Sequence, residues 1–360
     1  MKIVVDIGHP SHVHFFKNFI LEIQKNGHQV LITVSEKDIT TSLLQAFGFE
    51  YTNLGSYGKS LLQKILNVPV MNIKMYKAVR EMKPDIFLGY GSVRAAHVAW
   101  VLRKPCVIFD GDEFTFPYYK WFANTVCVFS GFEKTGKKIV NVPGYKELAY
   151  LHPRWFSLNL AIQAKDPITV LRFVSRAFHD VGKGSFDLDF KRRLVKELER
   201  YSTVCISSET SLPVELESYR ANIKPEKMHT FLSGANLLVT DSGTMTTEAA
   251  VMGIPVVRCN SFLGQGYLGI FQELEKKYGL IFNYRDSELA LNKAIQLSQI
   301  PDIRAIWGQK RKCLLQDKID VTSFMVWFVE HYPDSIHSAQ SFYTSSLESH
   351  VKKGVNSKHE

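Results

Sequence analysis

One stretch constrains this chain more than any other: Asn236-Leu-Leu-Val-Thr-Asp-Ser-Gly-Thr-Met-Thr-Thr-Glu-Ala-Ala-Val-Met-Gly-Ile-Pro-Val-Val-Arg258. Its apolar opening predicts a buried strand over Leu237–Thr240, followed by a tight turn at Asp241-Ser242-Gly243. A helix is expected from Thr244 to Met252. Gly253 closes it, and Pro255 prevents its continuation into the strand Val256-Val257. The turn puts small residues and unpaired backbone amides at a helix N-terminus, where the amides and the helix dipole both attract an anion. Glu248 stands one turn beyond Thr244 on the same face, where a carboxylate can accept from sugar hydroxyls. The rival reading is an ordinary N-cap, supplied by Asp241 or Ser242, on an ordinary crossover helix.

The N-terminus repeats the strand-loop-helix plan. Ile3–Ile7 reads as a strand, Gly8-His-Pro-Ser-His-Val-His14 as a loop, 13–25 as an amphipathic helix stopped near Gly27, and Gln29–Val34 as the next strand. The loop lacks the glycine-rich dinucleotide fingerprint, so a nicotinamide cofactor is not expected. Three histidines in six residues exceed what capping needs. Histidine trades protons near neutral pH, which makes His9 and His12 candidate catalytic groups, whereas His14 is expected on the helix flank. No carboxylate or cysteine stands at ligand spacing, so no metal site is expected.

Strand candidates continue at Ile86–Gly89, Cys106–Phe109, Val126–Phe129, Ile139–Val142, Ile168–Phe173, Val204–Ser207 and Leu280–Phe282, with helices at 37–46, 59–81 and 92–102 between the early ones. Two successive alternations of this kind predict an α/β chain with two doubly wound, Rossmann-like domains and a cleft at the strand carboxyl ends. The expected organisation is an N-terminal domain over 1–155 and a C-terminal domain over 165–318. A helix at 319–333 and an aperiodic, disordered tail over 334–360 complete it. At the carboxyl end of one strand, Phe109-Asp-Gly-Asp-Glu-Phe114 crowds three carboxylates, so Asp110 and Asp112 are candidate acid–base groups; an acidic surface loop is the rival reading. Ser92 and Arg94 are candidate sugar or acceptor contacts, with turn chemistry as the alternative.

Several of these motifs carry a resemblance. Asp-Ser-Gly followed by Glu-Ala-Ala-x-x-Gly-x-Pro-Val-Val is similar to the donor-site segment of sugar-nucleotide enzymes with the GT-B fold, chiefly non-hydrolysing UDP-GlcNAc 2-epimerases and MurG-like glycosyltransferases. The resemblance implies that Ser242, Gly243 and Thr244 contact phosphate and that Glu248 contacts ribose. It also implies roles in nucleotide-sugar binding for Gly8 in the Gly-His loop, Arg172 at a strand end and His229, while Ser207-Ser208-Glu209, which ends the next strand facing the predicted cleft, adds Ser208 by its placement. The last helix is then expected to return to the N-terminal domain. More widely, the Gly-His loop, Pro143-Gly-Tyr-Lys-Glu-Leu-Ala-Tyr-Leu-His-Pro153, Leu171-Arg-Phe-Val-Ser175 and Ala177-Phe-His-Asp180 resemble an uncharacterised prokaryotic GT-B-like family, a domain of unknown function.

These resemblances imply glycosyl transfer from a nucleotide-diphosphate sugar, UDP-linked by expectation, to a glycan or lipid-linked acceptor in surface polysaccharide or glycan synthesis, with no obligatory cofactor. Epimerisation of a UDP-amino sugar is the alternative, and a non-catalytic nucleotide-sugar binder the third. The arginine-bearing runs of the epimerases are missing, both in the first loop and around Gly264-Gln-Gly266, which weighs against an epimerase.

The formal charge of +9 over 360 residues favours acidic partners, a nucleotide diphosphate or an anionic membrane surface. Dispersed basic residues and the lack of a recognised module speak against nucleic acid. Lys191-Arg192-Arg193 reads as a solvated helix face paired with nearby glutamates. Five cysteines without a Cys-x-x-Cys motif, and a first strand starting at Ile3, lead to the expectation of a cytoplasmic protein visiting the inner face of the membrane.

Overall fold

The computed structural model describes residues 1–37, 39–58, 60–111, 113–158, 167–173, 187–208, 211–259, 268–339 and 342–343. Two compact units result: Met1–Trp155 with Lys318–Glu360, and Phe156–Asp317.

Unit 1 runs β1 (Lys2–Ile7), α1 (Pro10–Lys25), β2 (Gln29–Val34), α2 (Thr40–Ala46), β3 (Thr52–Asn53) and α3 (Leu61–Val79). It continues through β4 (Ile86–Tyr90), α4 (Val93–Val101), β5 (Cys106–Asp110), α5 (Phe116–Tyr119), β6 (Thr125–Val128), β7 (Ile139–Asn141) and α6 (Leu148–Leu151). In unit 2 follow β8 (Ile168–Phe173), α7 (Leu188–Leu198), β9 (Thr203–Ser208), α8 (Val214–Glu217), α9 (Met228–Ser233), β10 (Leu237–Thr240) and α10 (Gly243–Met252). Then come β11 (Val256–Cys259), α11 (Leu268–Gln272), β12 (Ile281–Tyr284), α12 (Ser287–Ser298) and α13 (Ile303–Asp317); α14 (Val321–Glu330) belongs to unit 1.

All strand pairings are parallel, in the orders β3-β2-β1-β4-β5-β6-β7 and β12-β11-β10-β8-β9. The central strands are buried on both faces, which is why they read as near-continuous apolar runs: Ile3, Val4, Val5 and Ile7 of β1 are all solvent-free. In each sheet the chain reverses its direction of growth once. The reversal lies between β1 and β4 in unit 1 and between β8 and β10 in unit 2, the points at which open α/β sheets leave a crevice at the carboxyl ends of their strands.

α14 packs on α1 and α6. Thr322 Oγ1 and Asn18 Nδ2 both donate to the Ala149 carbonyl, at 2.7 and 2.9 Å, and Trp155 Nε1 donates to Asp320 Oδ1 at 2.7 Å. In unit 2, α13 supplies donors to carbonyls at chain reversals. Arg304 reaches Ser233 and Ala235 at the end of α9, and Arg311 reaches Val251 at the end of α10.

Three departures from the sequence reading have physical causes. First, α1 begins at Pro10 rather than Val13, because proline suits the first helical position and the His9 imidazole caps it. The edge strand β3 is two residues long, too short to leave a pattern. Lastly, the expected disordered tail is folded in part. Residues 335–339 are helical, Ser335 Oγ donates to the Phe328 carbonyl at 2.7 Å, and Phe342 stacks on Trp327 at 4.6 Å. Aromatic burial against α14 holds this segment without requiring periodicity.

Candidate functional site

In unit 2 the candidate residues gather at the β8/β10 switch point. Thr240 ends β10, donates to the Arg172 carbonyl at 3.1 Å and accepts from the Ser242 amide at 2.9 Å, which fixes the reversal into α10. Ser242 is the N-cap, its Oγ accepting from the Met245 amide at 3.3 Å. A hydroxyl has one donor and two acceptor positions, so capping leaves its proton available. Gly243 and Thr244 begin the helix with backbone N–H groups that have no intrahelical acceptor. At the far end Gly253 adopts φ +73°, and a Cβ there would come within 3.0 Å of Arg311.

Glu248 and His229 are brought together: Nε2 of His229 lies 2.9 Å from Glu248 Oε1, and both side chains are buried. The imidazole fixes the carboxylate on the Thr244 face of α10. Arg172, next to last in β8, is in register with Thr240 and Ser207, and its Nη1 donates to Ser207 Oγ at 2.8 Å. Ser208 closes β9 opposite Phe173.

Arg258 was missed by the sequence reading. It pairs in register with Thr240 on the side opposite Arg172, is almost wholly buried, and packs over the Phe271 ring at 4.3 Å. An arginine within an otherwise apolar strand was the available signal. Arg172, Thr240 and Arg258 thus share one face of the sheet beneath the α10 N-terminus, since in-register neighbours project to the same side.

In unit 1 the histidines gather at the β1/β4 switch point. His9 is extended, and its Nδ1 accepts from the Ser11 amide at 3.2 Å, which leaves the ring proton on Nε2. His12 lies beneath Tyr90, ring centroids 5.0 Å apart, and 5.7 Å from His9. Its Nδ1 is buried with no hydrogen-bond partner among the described residues.

Burial, then the charges of Lys37 and Lys146, push His9 down to about 3. Burial is also the main cause holding His12 well below the ordinary range, followed by His9, Lys146 and Lys37. Both rings are therefore neutral at physiological pH, with two ammonium groups close by. Gly8 leaves room for a Cβ, whose nearest neighbour would be Ser35 Oγ at 3.9 Å. His14 turns into the core against Phe47 and Tyr150.

Asp110 is solvent-free, accepting from the Gly111 amide at 2.7 Å and from the Tyr119 hydroxyl. Gly111 is needed for close approach, because a Cβ would stand 2.7 Å from the Tyr90 hydroxyl. Asp112, the other expected acid–base group, lies outside the described residues, as do Glu209, Val174–Asp180 and Gly264–Gly266. Arg94 is committed internally: Nε and Nη2 donate to Asp6 Oδ1 at 3.2 and 2.6 Å, while Ser92 Oγ donates to Asp6 Oδ2. This buried pair holds the β4–α4 loop in place, so the sugar or acceptor contact considered for Ser92 and Arg94 gives way to loop anchoring.

Residues 1–118 match the family described as Protein of unknown function (DUF354). The resemblance to an uncharacterised family is met over that stretch. A relative, Uncharacterized protein MJ0665 of Methanocaldococcus jannaschii, is 21% identical over 301 residues, covering 78% of this chain and 87% of its own.

Among solved structures, the S. aureus MnaA-UDP co-structure has a TM-score of 0.66 at 14% identity, covering 93% of this chain and 97% of that one. The M. jannaschii UDP-GlcNAc 2-epimerase in complex with UDP-GlcNAc and UDP has a TM-score of 0.60 at 16% identity, with 84% and 94% covered. The glycotransferase of kitacinnamycin has a TM-score of 0.61 at 15% identity, with 91% and 98% covered. The fold is the GT-B-like pair of Rossmann-like domains expected from the sequence, and its structural neighbours are epimerases and glycosyltransferases.

Proposed function

We propose that this chain is a glycosyltransferase that uses a UDP-linked sugar. The observation carrying the reading is the construction of the α10 N-terminus. There, the Gly243 and Thr244 amides, which have no intrahelical acceptor, lie at the strand end beside Arg172, and one turn along the helix Glu248 is oriented by His229. A diphosphate takes the amides and the Arg172 guanidinium, which stabilise the charge on the leaving group without a metal ion. Glu248 accepts from the ribose hydroxyls. Neighbours whose structures contain UDP share this fold, which supports the choice of nucleotide.

His12 and His9 are the proton acceptors of the reading, receiving the proton of an acceptor hydroxyl. Burial, with the charges of Lys37 and Lys146 added to it, keeps the rings neutral, and an anion bound beside these lysines raises imidazole basicity. Asp110 positions the Tyr90–Tyr119 corner rather than acting as base, since its carboxylate faces Tyr119 and Gly111.

Epimerisation is the second reading, favoured by the epimerases among the structural neighbours. Incubation with a panel of UDP-sugars in D₂O separates the two. Donor consumed only when a glycan or lipid-linked acceptor is added supports transfer, whereas deuterium at C2 of recovered donor without acceptor replaces it by epimerisation. His12→Asn is expected to lower turnover by ~10²-fold with UDP affinity unchanged.

A further inference from the structure

We propose that the α3–α4–α5 face of unit 1 docks on the surface of an anionic lipid bilayer. Along α3 one stripe at heptad spacing runs Leu66, Val70, Ile73, Lys77 and Arg80, all exposed, so an apolar half passes into a basic half. The neighbouring helices extend it. Trp100 and Val101 end α4 in solvent, and Trp121 just beyond α5 is 74% exposed.

The surface is continuous. Asn72 of α3 bonds His97 of α4 at 3.1 Å, His97 reaches the Tyr118 carbonyl of α5 at 3.2 Å, and Trp100 meets Phe122 at 5.6 Å. Lys138 donates to the carbonyls of Trp121 and Ala123, bringing further positive charge to its edge.

The occupant follows from charge and chemistry. The helices α3, α4 and α5 contain no carboxylate, although Glu81 follows α3, while Lys77, Arg80, Arg103 and Lys120 lie on or beside them and Lys74 is turned to the Leu54 carbonyl. A second copy of this face would oppose like charges, which disfavours self-association. Nucleic acid offers nothing to the aliphatic Leu66–Val70–Ile73 stripe. An anionic bilayer satisfies every part: hydrocarbon for the stripe, the headgroup boundary for exposed Trp and Tyr, and lipid phosphate for the cations. The inference is independent of the nucleotide reading.

The test is cosedimentation of the full chain with vesicles of phosphatidylglycerol and phosphatidylcholine in equal parts, against phosphatidylcholine alone. Binding is expected only to the anionic vesicles, with a blue shift of tryptophan emission. Lys77→Gln with Arg103→Gln should lower partition by about 20-fold, near fivefold per cation. Ile73→Ser with Trp121→Ser should lower it at least ~10-fold, because both side chains leave the interface. All four positions are exposed, so the melting temperature and UDP affinity of both variants should match the parent. No partition into anionic vesicles would overturn the proposal. So would partition indifferent to Ile73→Ser and Trp121→Ser, or a concentration-dependent dimer that these substitutions dissociate.

Discussion

Acid should weaken unit 1 through its neutral histidines, and His9→Asn should remove a measurable part of that weakness. In the folded chain burial and two lysines move His9 from 6.5 to about 3. The unfolded chain accepts a proton that the folded chain refuses, so the stability associated with neutral His9 is fully present above 6.5. It is lost progressively as the pH falls from 6.5 towards 3. Between roughly pH 7.5 and pH 5 the unfolded imidazole becomes about thirtyfold more protonated than neutral, which costs about 2 kcal/mol of folding stability for this residue alone.

Asparagine preserves the N-cap function, because its side-chain oxygen can accept from the Ser11 amide as Nδ1 of His9 does. Urea unfolding at the two pH values, followed by intrinsic fluorescence, gives the comparison. Four of the five tryptophans, Trp100, Trp121, Trp155 and Trp327, lie in unit 1 and report on it. Carboxylates titrate equally in both proteins, so the difference between the two pH dependences isolates His9. The variant should lose about 2 kcal/mol less than the parent on acidification. Equal losses, or a larger loss in the variant, would refute the reasoning.

Two further perturbations follow from buried polar contacts. Arg94→Met leaves Asp6 buried without its cation and should destabilise unit 1 by about 3–5 kcal/mol in urea unfolding; a loss below about 1 kcal/mol would show that the pair is dispensable. Arg304→Ala removes two donors from the Ser233 and Ala235 carbonyls and should lower unit 2 stability by about 1–3 kcal/mol, whereas an unchanged unfolding midpoint would contradict the capping role of α13.

The parts of the fold legible in the sequence are those encoded within a few residues. Strands β2, β8 and β10 span the residues expected of them, and Gly253 marks the end of α10 by its left-handed conformation. The candidate residues Ser242, Gly243, Thr244 and Glu248 were legible for the same reason, standing within two turns of one helix. Contacts made through the sheet were not. Asp6 and Arg94 are 88 residues apart and meet only because β4 returns beside β1. His229 and Glu248 were singled out separately, yet their pairing depends on how α9 packs on α10. The start of α1 was hidden because a histidine does the work usually left to serine or aspartate. Asp110 read as a cleft carboxylate because nothing local shows that Tyr119, nine residues on, covers it.

The central claim is that the α10 N-terminus and Glu248 form a nucleoside diphosphate site. Titration calorimetry of UDP into the parent chain and into Glu248→Ala tests it most directly. Saturable binding is predicted for the parent, weakened by at least ~10-fold in the variant through loss of a charge-assisted hydrogen bond to ribose. Absence of heat from millimolar UDP, GDP, CDP and dTDP alike, or UDP binding indifferent to Glu248→Ala, would contradict the account.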